Sequence, residues 1–258
     1  MRRLLTCVFI ESKKLFCSKV PLITLLSVML IPFVGGFFMF VLKDPDFAQK
    51  MRLISTKAQF VGTADWPSFL SLISQAIAIG GLIVFGFVTS WVFGREYSDR
   101  TIKDLLALPT SRCMIVLSKF IVIYLWCLIL SVFVFATSLI VGVLIYIPGL
   151  SLEVLISGVK LYILCAVLTI FLSSPVALLA SIGRGYLSSF GFMIFTIVLA
   201  QIIAAVGYGH LFPWSIPAVA SGMTGDATID AAGILVVIVT NVMGVLGTML
   251  WWRNADHG

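Results

Sequence analysis

Charge is scarce in this sequence. Charged side chains make up 11% of its 258 residues and apolar ones 60%, and mean hydropathy is +1.15. Soluble domains carry roughly 25% charged residues, so the class that remains is an all-α polytopic membrane protein with little chain left for a soluble domain. Asp and Glu are the rarest charges, 11 against 17 Lys and Arg. None interrupts the middle of an apolar run, which argues against an ion-coupled secondary transporter, whose paths run through intramembrane ionisable groups. Histidine occurs twice, at His210 and His257. That is too few for a metal centre or an intramembrane Ser/His hydrolase, so no metal ligand and no catalytic residue is expected. The five cysteines include no CxxC and none in a segment assigned to the outside, so no disulfide framework is expected. No GxxxxGK[ST] stretch is present, and an ATP site of its own is therefore not expected.

What is present is six apolar runs: Val20–Leu42, Phe69–Phe93, Ile115–Ile147, Val154–Ile182, Leu187–Gly209 and Ala231–Trp252. Each is long enough to cross about 30 Å of hydrocarbon as a helix. The third is too long for one upright span and should tilt or project. Ser173-Ser174-Pro175 should kink the fourth. Twelve of the 17 basic residues fall on one side of such an arrangement if the N-terminus is inside, which places both termini in the cytoplasm and explains the net charge of +6 by topology. No nucleic-acid partner is then required. Segments 43–68 and 210–230 fall outside. No cleavable leader is expected from the basic start. Residues 1–19 mix Leu4, Leu5, Phe9 and Phe16 with Glu11, Lys13 and Lys14, the pattern of an amphipathic helix lying in the cytoplasmic interface. Trp66, Trp214, Trp251 and Trp252 fall where an interfacial aromatic belt would place them. With no repeat and no linker, one domain is expected over 1–258.

The densest charge lies in Gly94–Lys119, which holds five of the basic and three of the acidic residues. Thr101 and Asp104 fit a capping box that would start a short helix. Ile102, Leu105 and Leu106 share one face of it. Pro109 stops it, and Thr110 or Ser111 can cap the next helix, which runs into the third span. A helix this short needs a surface to pack on, so its apolar edge reads as a protein-binding element.

The succession of Glu96, Thr101, Leu105, Leu106, Pro109, Arg112 and Lys119 resembles the inner loop of ABC-2 type permeases, the membrane subunits of bacterial ATP-binding-cassette exporters. Glu11-Ser-Lys13-Lys14-Leu15 is similar to the interfacial segment that opens this family, and Phe212-Pro213-Trp214-Ser-Ile-Pro217 to its last outer segment. The nearest subgroup by resemblance is the bacitracin-transport permeases, with lantibiotic-immunity permeases beside it. The resemblance implies a half-transporter in the bacterial plasma membrane that pairs with a second permease chain, itself or a sister. It also implies two cytoplasmic ATPase subunits that carry the ATP and Mg. The segment Thr101–Leu108 would then be the coupling helix, and Phe212, Pro213, Trp214 and Pro217 part of an outer gate.

Gln201 and Asn241 are the polar side chains most costly to leave unpaired inside a span, and are candidates for a substrate path. Spans without charge suit an amphipathic cargo, such as a peptide antibiotic or a lipid-linked compound. A non-transporting immunity or sensor subunit that binds an ATPase is the second reading.

Overall fold

In a computed structural model, residues 2–43, 63–102, 110–223 and 230–254 are described. Helix α1, Arg2–Phe16, is followed by α2, Val20–Lys43. Ser18 makes the turn between them: its hydroxyl donates to the Leu15 carbonyl (2.6 Å) and accepts the Val20 amide (3.2 Å), closing one helix and opening the next. Helix α3, Trp66–Ser98, starts at Asp65, whose carboxylate accepts the Ser68 amide, with Pro67 in the first turn. Helix α4 runs unbroken over Arg112–Leu144. The fourth apolar run divides into α5, Leu152–Phe171, and α6, Ser174–Ile182, broken where Pro175 removes a helical donor. Helix α7, Tyr186–Ala205, precedes a short 3-10 turn at Pro213–Ser215 and a five-residue helix, α8, Ile216–Ala220; α9, Ala231–Asn254, ends the fold. Among the described residues six helices, counting α5 and α6 as one, are long and apolar enough to cross a membrane.

One boundary runs further than the apolar pattern: Gly94–Ser98 continues α3. Helix α4 opens at Arg112 behind Ser111, one of the two expected caps, so the segment between the two helices is 99–111. Apolar run length underestimates a helix that carries its last turns into a polar region.

Lipid tails are as apolar as leucine, so these helices associate through close packing and hydrogen bonds rather than expulsion of water. Small residues make that possible on α3. Ser90 lies against α7, where its hydroxyl donates to the Tyr186 carbonyl (2.8 Å) and meets Ser189 Oγ (2.5 Å). One turn on, a Cβ at Gly94 would stand 2.6 Å from the Tyr186 amide nitrogen, so only glycine lets these backbones meet. Helix α9 nests on α6 the same way, with Gly244 against Ser174 and Pro175. Outward faces, such as Leu22, Leu26, Phe33 and Phe37 of α2, are exposed as lipid contact requires.

The tryptophans divide. Trp66 and Trp252 are buried in the bundle rather than standing in an interfacial belt. Trp66 stacks over Gly142, and the Trp252 indole donates to Ser181 Oγ at 2.9 Å. Trp214 and Trp251 are half-buried.

Candidate functional site

The end of α3 decides what stands next to it. Asp99 is its last cap and Arg100 turns left-handed, with φ 55°. The Thr101 amide returns to the Glu96 carbonyl (3.0 Å) and the Arg100 amide to that of Tyr97 (3.2 Å), the double closure of a Schellman cap. This reversal carries Thr101 back onto Glu96, and its hydroxyl donates to Glu96 Oε2 at 2.7 Å.

Glu96 is in turn one of four charges gathered from three helices. Lys119 of α4 is 0% exposed, and its ammonium lies 2.8 Å from Glu11 Oε2 and 2.9 Å from Glu96 Oε1. It also donates to the Val92 carbonyl at 3.4 Å. Lys14 bridges the same two acids from the open side, 3.0 Å from each. Two carboxylates against two ammonium groups leave the quartet neutral. That balance is how a charged lysine and two acids persist away from water.

Burial by itself would raise the Glu11 carboxyl. Lys119 and Lys14 outweigh it and hold the group below its ordinary 4.5. At Lys14 burial pulls down, and Glu11 and Glu96 more than reverse it, so the ammonium titrates above its ordinary 10.5. The arrangement has no nucleophile and no poised base; it is a latch. It joins α1, the end of α3, the start of α4 and, through Thr101, the chain that leads into segment 102–109.

Helix α1 is seated by this latch. Leu15 is buried, and Phe16 meets Trp126 of α4 edge to face at 5.4 Å. Its expected polar face is therefore divided. Glu11 turns into the protein, Lys14 is half-buried, and Lys13 remains exposed, while Leu5 and Phe9 face outward.

Other expected positions fall as follows. Thr101 directly precedes Ile102, which is helical, and its hydroxyl donates to Glu96; its partner in the expected capping box, Asp104, falls in segment 103–109. Ile102 is buried, which removes it from the exposed apolar edge. Asp104, Leu105, Leu106 and Pro109 lie outside the described residues. Arg112 donates to the carbonyls of Trp252 and Arg253, 3.2 Å each, and so caps the end of α9. Asn241 accepts the Tyr124 hydroxyl at 2.6 Å, and its backbone carbonyl accepts Ser174 Oγ at 3.1 Å, so it joins α9 to α4 and α6. Gln201 lines a cavity of about 320 Å³ with Ile79, Leu82, Ala204, Trp214 and Ala218.

Phe212 and Pro213 are half-buried and Pro217 is buried in a segment that folds back on the bundle. Its Pro217 and Ser221 carbonyls accept Cys165 Sγ (3.7 Å) and Ser71 Oγ (3.4 Å). Lys119 is the residue the sequence offered without its role. A lysine four residues into an apolar run requires partners, and sequence spacing does not say which acids supply them.

Six lipid-length helices, a seated N-terminal helix and a charged latch at one end of the bundle define a multi-pass membrane protein of the permease class. The family model for ABC-2 family transporter proteins matches residues 7–201, and the chain belongs to that family. The matched span includes all four latch residues. The bacitracin transport permease protein BCRB of Bacillus licheniformis is 29% identical to it over 180 residues, covering 68% of this chain and 85% of that protein. Permeases of this family are membrane subunits that normally lack an ATPase site of their own and associate with an ABC ATPase. A bacterial plasma membrane fits that relative.

Proposed function

We propose that this chain is the permease half of an exporter whose cytoplasmic ATPase docks on segment 102–109, and that the latch of Glu11, Lys14, Glu96 and Lys119 transmits the movement. The observation that carries the reading is the position of Thr101. It is the last residue before the docking segment, and it is bonded to an acid shared by two lysines from α1 and α4. A displacement of the segment therefore reaches three helices at once. The ATPase pair would hold ATP and Mg, both termini would face it, and a second permease, a copy or a sister chain, would complete the path.

The cargo proposed is an amphipathic peptide antibiotic or lipid-linked compound. Spans with few charges and the cavity beside Gln201 and Trp214 support it, as does the likeness to the bacitracin transport permease of Bacillus licheniformis. In this reading Leu105 and Leu106 make the contact, and buried Glu96 relays it. Leu105→Asp is expected to abolish co-purification with the ATPase. Glu96→Gln should retain co-purification and lose cargo-stimulated ATP hydrolysis. An ATPase that still binds Leu105→Asp at wild-type level overturns the docking.

A further inference from the structure

An open cleft of about 470 Å³ lies between α1 and the last turns of α3, walled by Lys13, Lys14, Arg95 and Asp99 and by the apolar surfaces of Ile10 and Trp91. Its charges are not equivalent. Lys14 is committed to Glu11 and Glu96 within the neutral quartet. Lys13 is exposed and Arg95 half-buried, and among the described residues the four ion pairs of the quartet include neither.

Arg95 is nonetheless held in place. Its guanidinium lies 4.6 Å from the centre of the Trp91 ring, and Nη1 donates a long 3.5 Å bond to the Lys14 carbonyl. A guanidinium has five N–H donors, so most of them remain for a ligand. Against Lys13 and Arg95 stands one exposed acid, Asp99, and the cleft keeps a positive excess. Its depth is set by its walls. Phe9, Ile10 and Phe16 of α1 are exposed and apolar, and Arg95 stands where the apolar run of α3 gives way to charge. That is the level of lipid headgroups.

We propose that this cleft binds the phosphate of an anionic phospholipid, with Arg95 and Lys13 on the phosphate oxygens and Ile10 and Trp91 against the glycerol and upper acyl chain. A fixed fork beside a mobile ammonium suits a phosphate, and the apolar wall favours a lipid over a free anion. A lipid seated there would bear on α1 and α3 beside the latch.

The test uses the full-length protein in nanodiscs of phosphatidylcholine containing graded phosphatidylglycerol, with retained lipids counted by native mass spectrometry. Phosphatidylglycerol should be retained in preference. Each of Lys13→Gln and Arg95→Gln should lower that preference about fivefold, the scale expected for one basic residue at a membrane surface. Arg95→Lys should recover part of it, and Lys160→Gln, exposed on α5, should leave it unchanged. Lys13 is exposed, so its variant gives a decisive answer whether or not Arg95→Gln folds. Equal retention of the two lipids, or an unchanged preference in Lys13→Gln, overturns the proposal. So does full displacement of the lipid by millimolar inorganic phosphate, which would assign the cleft to a small anion.

Discussion

Lys119 Nζ and Glu11 Oε2 stand 2.8 Å apart across 108 residues of sequence. The contact ties an N-terminal helix to α4 beside the Lys14–Glu96 bridge to α3 and the buried Leu15. Helix α1 exposes Leu5, Phe9 and Phe16, and an interfacial helix held only by such groups could slide along the bundle. A buried ion pair adds little net stability over an apolar pair of the same volume, because desolvation offsets most of the attraction. What it does supply is register: Glu11 reaches Lys119 in one rotation and one axial setting of α1.

Lys119→Met tests the latch directly. It leaves Glu11 and Glu96 facing each other with only the half-exposed Lys14 between them. Removing one partner of a buried pair costs about 3–5 kcal/mol, and thermal unfolding in detergent should show a loss on that scale. Glu11→Gln/Lys119→Met restores neutrality. The double variant should be more stable than the sum of the single losses by about 1 kcal/mol or more, as expected for groups in direct contact. Additive losses would mean that the two charges do not interact.

Acid and base should each release α1, by different groups. Glu11 has its pKa lowered from 4.5, so its contribution is fully present above that value and is lost as pH falls through the lowered pKa. Lys14 has its pKa raised from 10.5, so its contribution is present below that value and is lost as pH rises through the raised pKa. Between those limits α1 should stay seated. A spin label on Cys7, with the other cysteines changed to serine, should be immobile from about pH 5 to pH 10 and gain mobility only outside that range. Mobility that changes near neutral pH would contradict the assigned shifts.

The crossing of α3 and α7 should be intolerant of a single methyl group. A Cβ at Gly94 would meet the Tyr186 nitrogen at 2.6 Å and the Gly185 carbonyl carbon at 2.8 Å, both backbone atoms that cannot turn aside. Gly94→Ala should cost about 1–3 kcal/mol by overpacking, despite the better helix propensity of alanine. Gly191→Ala, on α7 with nothing within 4 Å, should be neutral or slightly stabilising. Equal unfolding midpoints for the two variants would refute the close approach.

How much of this was legible depended on the distance over which each feature is encoded. The six spans follow from length and apolarity, and the break before α6 follows from Pro175, both local properties. The role of Thr101 was legible only in part. Its spacing to Asp104 matches an N-cap, but nothing local shows that the left-handed turn at Arg100 also brings it back onto Glu96 at the closing of α3. Nothing in the one-letter pattern marks an arginine for positive φ.

The latch was visible only as charges near span ends, because three of its four pairs join residues 23, 82 and 108 apart, and only Glu11–Lys14 is local. Gln201 and Asn241 were equally plausible as path residues. Only the structure gives Asn241 a partner, Tyr124, 117 residues away.

Thr101→Val separates relay from docking. The exchange keeps the side-chain shape and removes the hydroxyl that donates 2.7 Å to Glu96 Oε2. Hydrogen bonds to charged groups contribute about 1.5–3 kcal/mol when buried. Thr101 is exposed on its other side, so the loss in global stability should be about 1 kcal/mol or less. The functional loss should be larger, because the hydroxyl is the side-chain link from the proposed docking segment to the quartet. Reconstituted with its ATPase, Thr101→Val should keep co-purification and lose severalfold in cargo-stimulated ATP hydrolysis, while Thr101→Ser, which retains the donor, should behave as the parent protein. Full stimulation in Thr101→Val would place the transmission path elsewhere, through the Thr101 amide and the backbone of Glu96.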